Sequence, residues 1–150
     1  PKAARHGIKW LAKRYDRVVE RLLALPVTFI HGEFYASNVL VSNTSGKLRV
    51  CPVDWELAGV GPGLIDLAAL VSGGWSAEEK EALAKAYHAE LTLRDERSMD
   101  LEEFLIALDY CRLHLAVQWL GWASEWSPPP EHEQDWLGEA LSLAEKLELT

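Results

Sequence analysis

Apolar residues at Ile8, Leu11, Tyr15, Val18 and Leu22 step by three and four, with Lys9, Lys13, Arg17 and Arg21 left for solvent. That spacing predicts one amphipathic helix from Ala4 to Leu25, ended by Pro26. Val27 to Ile30 is a β-branched and aromatic run too short for a helix. Val39-Leu40-Val41 and Leu48 to Val53 read as two strands, joined by turn residues Ser42 to Gly46. Gly59 to Gly63 reads as a loop, and Leu64 to Val71 as the start of a buried helix. Ser76-Ala77-Glu78-Glu79 is a capping box that opens a helix to about Leu91. Asp100 caps a longer helix from Leu101 to about Trp126, which Gly121 can bend and Ser127-Pro128-Pro129-Pro130 breaks. A last helix runs from about Glu133 to Leu147. The expected architecture is mainly α, with one small β-hairpin.

Composition narrows the class. The chain has 150 residues, 49% of them hydrophobic and 25% charged, as expected of one globular domain with a proper core. No apolar run approaches the length of a bilayer span, and no signal-peptide pattern opens the chain. A net charge of −8 disfavours nucleic-acid binding through a basic face. An acidic surface tolerates or attracts a cationic small molecule, although solubility alone accounts for such a balance. Cys51 and Cys111 lie in apolar stretches without CxxC spacing. They read as two buried thiols, which suits a reducing cytoplasm and not a zinc site. The chain begins with Pro1, which leads to the expectation of a fragment of a longer protein.

The polar residues cluster where the β element would place them. His31-Gly32-Glu33-Phe34-Tyr35-Ala36-Ser37-Asn38 follows the first short strand, and Asp54-Trp55-Glu56 leaves the hairpin. A carboxylate, four residues, an Asn and then an Asp after a hairpin is the layout of a kinase catalytic loop with its metal-binding Asp. Phosphoryl transfer uses one group to orient the attacking hydroxyl and others to hold Mg²⁺ against the phosphates. Glu33 and Asp54 alone would also serve as a carboxylate pair for glycoside hydrolysis. That chemistry requires neither Asn38 nor the hairpin.

Residues 29–41, then Val53-Asp54-Trp55-Glu56, then Asp66-Leu67-Ala68 resemble the aminoglycoside phosphotransferase and choline kinase family. The family pattern is His-Gly-Asp, four residues, Asn-x-Leu, then Asp-Trp/Phe-Glu, then Asp-Leu-Ala. The motif-bearing core is roughly residues 27 to 72, and the flanking helices suit the C-terminal lobe of a protein-kinase-like fold. The resemblance implies that Glu33 orients and deprotonates the substrate hydroxyl. It implies that His31 braces the loop, and that Asn38 and Asp54 ligate Mg²⁺ beside ATP. Asp66 would be a structural acid holding the loop from the next helix, with Glu56 in support. One neutral and one anionic oxygen suit Mg²⁺, which shares its coordination with phosphates and water.

Two departures follow. Glu33 stands where the family carries Asp; its extra methylene displaces the carboxylate by about an ångström, and misplacement on that scale costs up to roughly 10²-fold in rate. An active kinase and a catalytically silent, pseudokinase-like binding module both accommodate that change. Further, no strand, Gly-rich loop and strand Lys precede His31 to hold a nucleotide. Gly59-x-Gly61-x-Gly63 contains Pro62 and reads as a structural turn, and Gly46-Lys47 lacks the earlier glycine of a P-loop. The resemblance therefore implies a separate N-terminal lobe of the same protein, without which residues 1–150 would be inactive.

Trp119, Trp122 and Trp126 recur at helical spacing beside Glu125. Indole faces with a carboxylate could form a substrate wall for a cationic amine. Packing of the long helix against Trp136 and Leu137 of the last one is the commoner role of such a stripe. His88, His114 and His132 show no metal-binding pair, and packing or surface roles are expected for each.

Overall fold

The computed structural model describes residues 2–44, 46–94, 99–122 and 134–149. Helices α1 (Lys2–Ala12) and α2 (Tyr15–Leu23) lead into strand β1 (Val27–Ile30) and a 3-10 turn at Ala36–Asn38. The strands β2 (Val39–Thr44), β3 (Lys47–Pro52) and β4 (Gly59–Pro62) follow. Helices α3 (Leu64–Val71), α4 (Ala77–Arg94), α5 (Leu101–Trp122) and α6 (Trp136–Lys146) complete the described chain.

The single helix expected over 4–25 is two. Arg14 leaves helical geometry at φ −117°, and its guanidinium lies 4.7 Å from the Trp10 ring. Each half has its own partner, α6 for α1 and α5 for α2. Leu11, Val18 and Leu22 are buried accordingly. The apolar period continues across the break because both halves face the same core.

That core is built on α5, which packs on both α3 and α6. Its buried residues run all round the helix, including Phe104, Leu108, Cys111, Leu113 and Leu115. A helix apolar on every side belongs in the centre of a domain. Buried Ala68 and Ala69 on α3, Ala107 and Ala116 on α5, and Ala140 and Ala144 on α6 keep bulk out of these interfaces. One charge is buried with them. Asp109 is 4% exposed and binds Arg112 at 2.9 Å and the ammonium of Lys146 from α6. The helix caps follow the sequence: Ser76 and Glu79 exchange hydrogen bonds at 2.8 and 3.2 Å, and Asp100 accepts the Glu103 N–H at 2.9 Å. The last helix starts at Trp136, with Asp135 accepting the Gly138 N–H. Glu125, Trp126, Ser127–Pro130 and His132 lie outside the described residues.

The hairpin β2–β3 pairs Val39 with Pro52 through to Thr44 with Lys47, and Gly46 turns it at φ 75°. The Gly59–Gly63 stretch corrects the expectation of a turn. Its first four residues form β4 and pair antiparallel with β1, Ile30 opposite Gly59 and Val27 opposite Pro62. Glycine is a poor strand former, so pairing is imposed by the partner strand and not by local propensity. At Gly61 a Cβ would come within 3.0 Å of the Ile30 side chain, so the close approach suits glycine. Cys51 is a second correction. It is exposed on the hairpin, whereas Cys111 is buried and its thiol is pushed up to about 12 by desolvation. The hairpin strands cover no core, so their apolar residues Leu40, Val41, Leu48 and Val50 stay in solvent.

Candidate active site

The His31–Asn38 loop leaves β1 and is fixed from two directions. From α3, one Asp66 carboxylate oxygen accepts the His31 backbone N–H at 2.7 Å and the other accepts the Gly32 N–H at 2.9 Å. From the end of β3, the Val53 carbonyl receives the His31 imidazole Nε2–H at 2.9 Å. A carbonyl only accepts, so Nε2 carries the proton and Nδ1 is left to accept the Glu33 N–H at 3.3 Å. His31 is 2% exposed, with its ring against Trp55 at 4.5 Å and Phe34 at 5.6 Å. It braces the loop and is not presented to a ligand.

Gly32 takes φ 86°, and a Cβ there would lie 2.3 Å from the Leu57 carbonyl oxygen. Only glycine lets the loop pass this close to the Asp54–Ala58 segment. Further along, the Asn38 side-chain N–H₂ donates to the Glu33 carbonyl at 3.0 Å, and the Val53 N–H donates to the Asn38 carbonyl at 2.9 Å. The loop of Glu33 and Asn38 is thus bonded on both sides to the residue before Asp54. Asp54 adopts φ 65°, unusual for a non-glycine residue and most accessible to Asn and Asp. Its side chain is exposed. Glu56 is exposed in the next turn, away from the hydrogen bonds that tie the loop.

Glu33, Tyr35, Leu57, Gln118, Trp119 and Trp122 surround a small cavity of about 60 Å³. The Trp119 indole N–H donates to the Tyr35 hydroxyl at 3.0 Å. Trp119 also stacks on Trp136, with ring centres 5.3 Å apart and planes 7° from parallel. So Trp119 joins the helix–helix packing and walls the cavity at once, whereas Trp122 is 59% exposed at the rim. Burial pushes the Tyr35 hydroxyl up to about 12, with the Glu33 charge adding to it against the opposing Trp119 hydrogen bond. The phenol is neutral at any physiological pH. Sequence reasoning did not single out Tyr35, Leu57 or Gln118. Tyr35 was open to suspicion as an aromatic inside the loop; the other two carry no signal of their own.

His88 and His114 have structural partners. His88 Nε2–H donates to the Met99 carbonyl at 2.9 Å, and His114 Nδ1 shares a hydrogen bond with the Tyr15 hydroxyl. Among the described residues, no three His, Cys, Asp or Glu side chains gather as a metal site. The donor set at Asn38 and Asp54 is of a different kind. The amide nitrogen of Asn38 is engaged by the Glu33 carbonyl, and Asp54 is exposed. One neutral and one anionic hard oxygen fit Mg²⁺ that shares its shell with phosphate and water.

A mainly helical domain with a hairpin beside a braced loop, and a carboxylate, an Asn and an Asp on those elements, fits a protein-kinase-like fold. The chain belongs to the phosphotransferase enzyme family, which matches it over residues 2–101, two-thirds of its length. No curated protein and no solved structure matches the chain. Among the described residues, no helix is long and apolar enough to cross a membrane.

Proposed function

We propose that this chain supplies the acceptor-binding and metal-binding half of a small-molecule phosphotransferase, which moves a phosphoryl group from ATP to a hydroxyl. The observation that carries the reading is the double anchorage of the His31–Asn38 loop, by Asp66 on one side and Val53 on the other. It holds Glu33 on a cavity wall while Asn38 and Asp54 stay at the loop and hairpin ends. Glu33 orients the acceptor hydroxyl and takes its proton as phosphoryl transfer proceeds. Asn38 and Asp54 would hold Mg²⁺, which when bound offsets the charge of the phosphates. Trp119 and Trp122 at the Glu33 cavity favour an acceptor carrying an amine or quaternary ammonium, and the net charge of −8 acts in the same direction.

ATP is held jointly with an N-terminal lobe that carries a Gly-rich loop and a strand lysine. The residues described before β1 are helical, so these groups come from other polypeptide of the same protein, and residues 1–150 alone do not turn ATP over. The cytoplasm, which supplies ATP and Mg²⁺, is the compartment that suits this reaction. The test uses the protein with its nucleotide lobe, ATP, Mg²⁺ and a panel of amino alcohols. Glu33→Gln is expected to lower kcat by about 10² to 10⁴-fold with little change in acceptor KM. An unchanged kcat removes Glu33 from the reaction.

The extra methylene of Glu33 favours a second reading, a binding module that keeps the cleft and lacks turnover. Glu33→Asp separates the two. An enzyme changes rate by about tenfold or more in either direction, whereas a binding module stays silent in both forms.

A further inference from the structure

Asp66 and Val53 anchor the His31–Asn38 loop at His31 and Gly32, ahead of Glu33. Tyr35 lies beyond Glu33 and ties several parts of the site together. Its backbone N–H donates to the Glu33 carbonyl at 2.8 Å, closing a tight turn. Its carbonyl accepts the Asn38 N–H at 2.9 Å, at the entry to the 3-10 turn. Its hydroxyl accepts the indole N–H of Trp119, 84 positions away on α5, at 3.0 Å. The two rings also meet edge to face, with centres 5.9 Å apart and planes at 66°. Trp119 is held in turn by its stack on Trp136 of α6. One residue thus bonds to the candidate base, to a candidate Mg²⁺ ligand and to a wall of the cavity that Glu33 lines.

From these contacts we infer that Tyr35 is a positioning residue, which uses its hydrogen bond from Trp119 to hold Glu33 and Asn38 at a set distance from the acceptor wall on α5. The inference rests on the reading of the Glu33 cavity as the acceptor site. Of the two parts joined, α5 is the firm one, packed on α3 and α6. The loop is the part that needs holding. Ala36 and Ser37 beside Tyr35 are exposed, so packing does not fix the chain there. A directional contact does so instead. The phenol keeps its proton up to about 12 and an indole N–H only donates, so the tie is the same at every physiological pH. Tyr35 therefore moves no proton. A contact that places the base against the acceptor hydroxyl acts on the chemical step more than on acceptor binding.

Tyr35→Phe removes the hydroxyl and keeps the ring; Trp119→Phe removes the N–H and keeps an aromatic wall. In the protein with its nucleotide lobe, each is expected to lower kcat about tenfold. The double variant should also lose only about tenfold, because both changes break one hydrogen bond. In Tyr35→Phe the acceptor KM should stay within about threefold, and the kcat loss should be equal from about pH 6 to about pH 9. An unchanged kcat, losses that multiply to about 100-fold, or a loss that varies with pH overturns the inference.

A second readout needs neither ATP nor metal. In residues 1–150, amide hydrogen exchange at Tyr35 and Asn38 should quicken about tenfold in either single variant. The His31 and Gly32 amides, held by Asp66, should keep their rates. Unchanged exchange at Tyr35 and Asn38, or equal quickening at all of these amides, shows that no local tie exists and overturns the inference. If the tie is present and the whole protein transfers no phosphoryl group, the phosphotransferase reading falls while the tie itself is upheld.

Discussion

Asp66 and His31 stand 35 positions apart in sequence, and the Asp66 carboxylate receives the His31 backbone N–H at 2.7 Å. The second oxygen takes the N–H of Gly32. One side chain in the first turn of α3 thereby fixes the backbone from which Glu33 projects.

Removing that carboxylate leaves two loop N–H groups without their acceptor. Hydrogen bonds to a charged partner contribute about 1.5–3 kcal/mol each. Asp66→Ala is expected to destabilise the fold by about 3 kcal/mol, and Asp66→Asn, which keeps one acceptor, by about half as much. Urea denaturation measures this: the midpoint should fall at constant slope. A midpoint unmoved by Asp66→Ala would show that the loop holds itself.

Gly32 and Gly46 form a controlled pair. Both have positive φ, 86° and 75°, but a Cβ on Gly32 meets the Leu57 carbonyl at 2.3 Å while one on Gly46 meets nothing within 4 Å. Gly46→Ala bears only the left-handed backbone cost, about 1–2 kcal/mol. Gly32→Ala adds a clash that no rotamer relieves, and should cost at least about twice as much. Equal losses in thermal denaturation would mean that the Asp54–Ala58 segment yields.

Asp109 is the hinge of the α5–α6 ion cluster. Its side chain is 6% exposed between Arg112 and Lys146, whereas Glu139, the other partner of Arg112, is 35% exposed. Deleting the buried anion removes two ion pairs but leaves Arg112 on Glu139 and the 66% exposed Lys146 in solvent, so Asp109→Ala should cost about 1–3 kcal/mol. Glu139→Ala should cost less than about 1 kcal/mol, because solvent screens that contact. A chemical denaturation series in which the two variants match would contradict this division.

Burial holds the His114 imidazole below its ordinary range, and the Tyr15 hydroxyl occupies its Nδ1. The unfolded chain therefore takes up the proton first as pH falls. The contribution is fully present above the unfolded value, near 6.5, and is lost as pH drops through the folded one. Stability should decline as pH falls through and below the unfolded value near 6.5, and the decline should be smaller in His114→Gln. Equal declines in urea midpoint for the two proteins would assign the pH dependence elsewhere.

Much of this was legible from periodicity alone. The helices α3 and α5 announced themselves by composition, and the caps at Ser76 and Asp100 by residue type. The His31–Asn38 loop was visible because Glu33, Asn38 and Asp54 sit at fixed spacing around a hairpin that local turn chemistry specifies. β4 was hidden, since Gly59-Val60-Gly61-Pro62 has no strand propensity and becomes one only against β1. The break at Arg14 was hidden as well, because two helices facing one core keep a single apolar phase. The exposure of Cys51 escaped for a related reason: alternation marks a strand but does not say whether anything covers it.

By itself, then, the sequence determined where helices form, where the loop and hairpin fall and which side chains they carry, because those depend on contacts within a few residues. Tertiary structure alone decided which distant groups meet. It set the Asp66 carboxylate on the His31 and Gly32 N–H groups and placed Trp119 between Tyr35 and Trp136. Those outcomes depend on how α3, α5 and α6 pack, and packing is a property of the whole chain that no local pattern encodes.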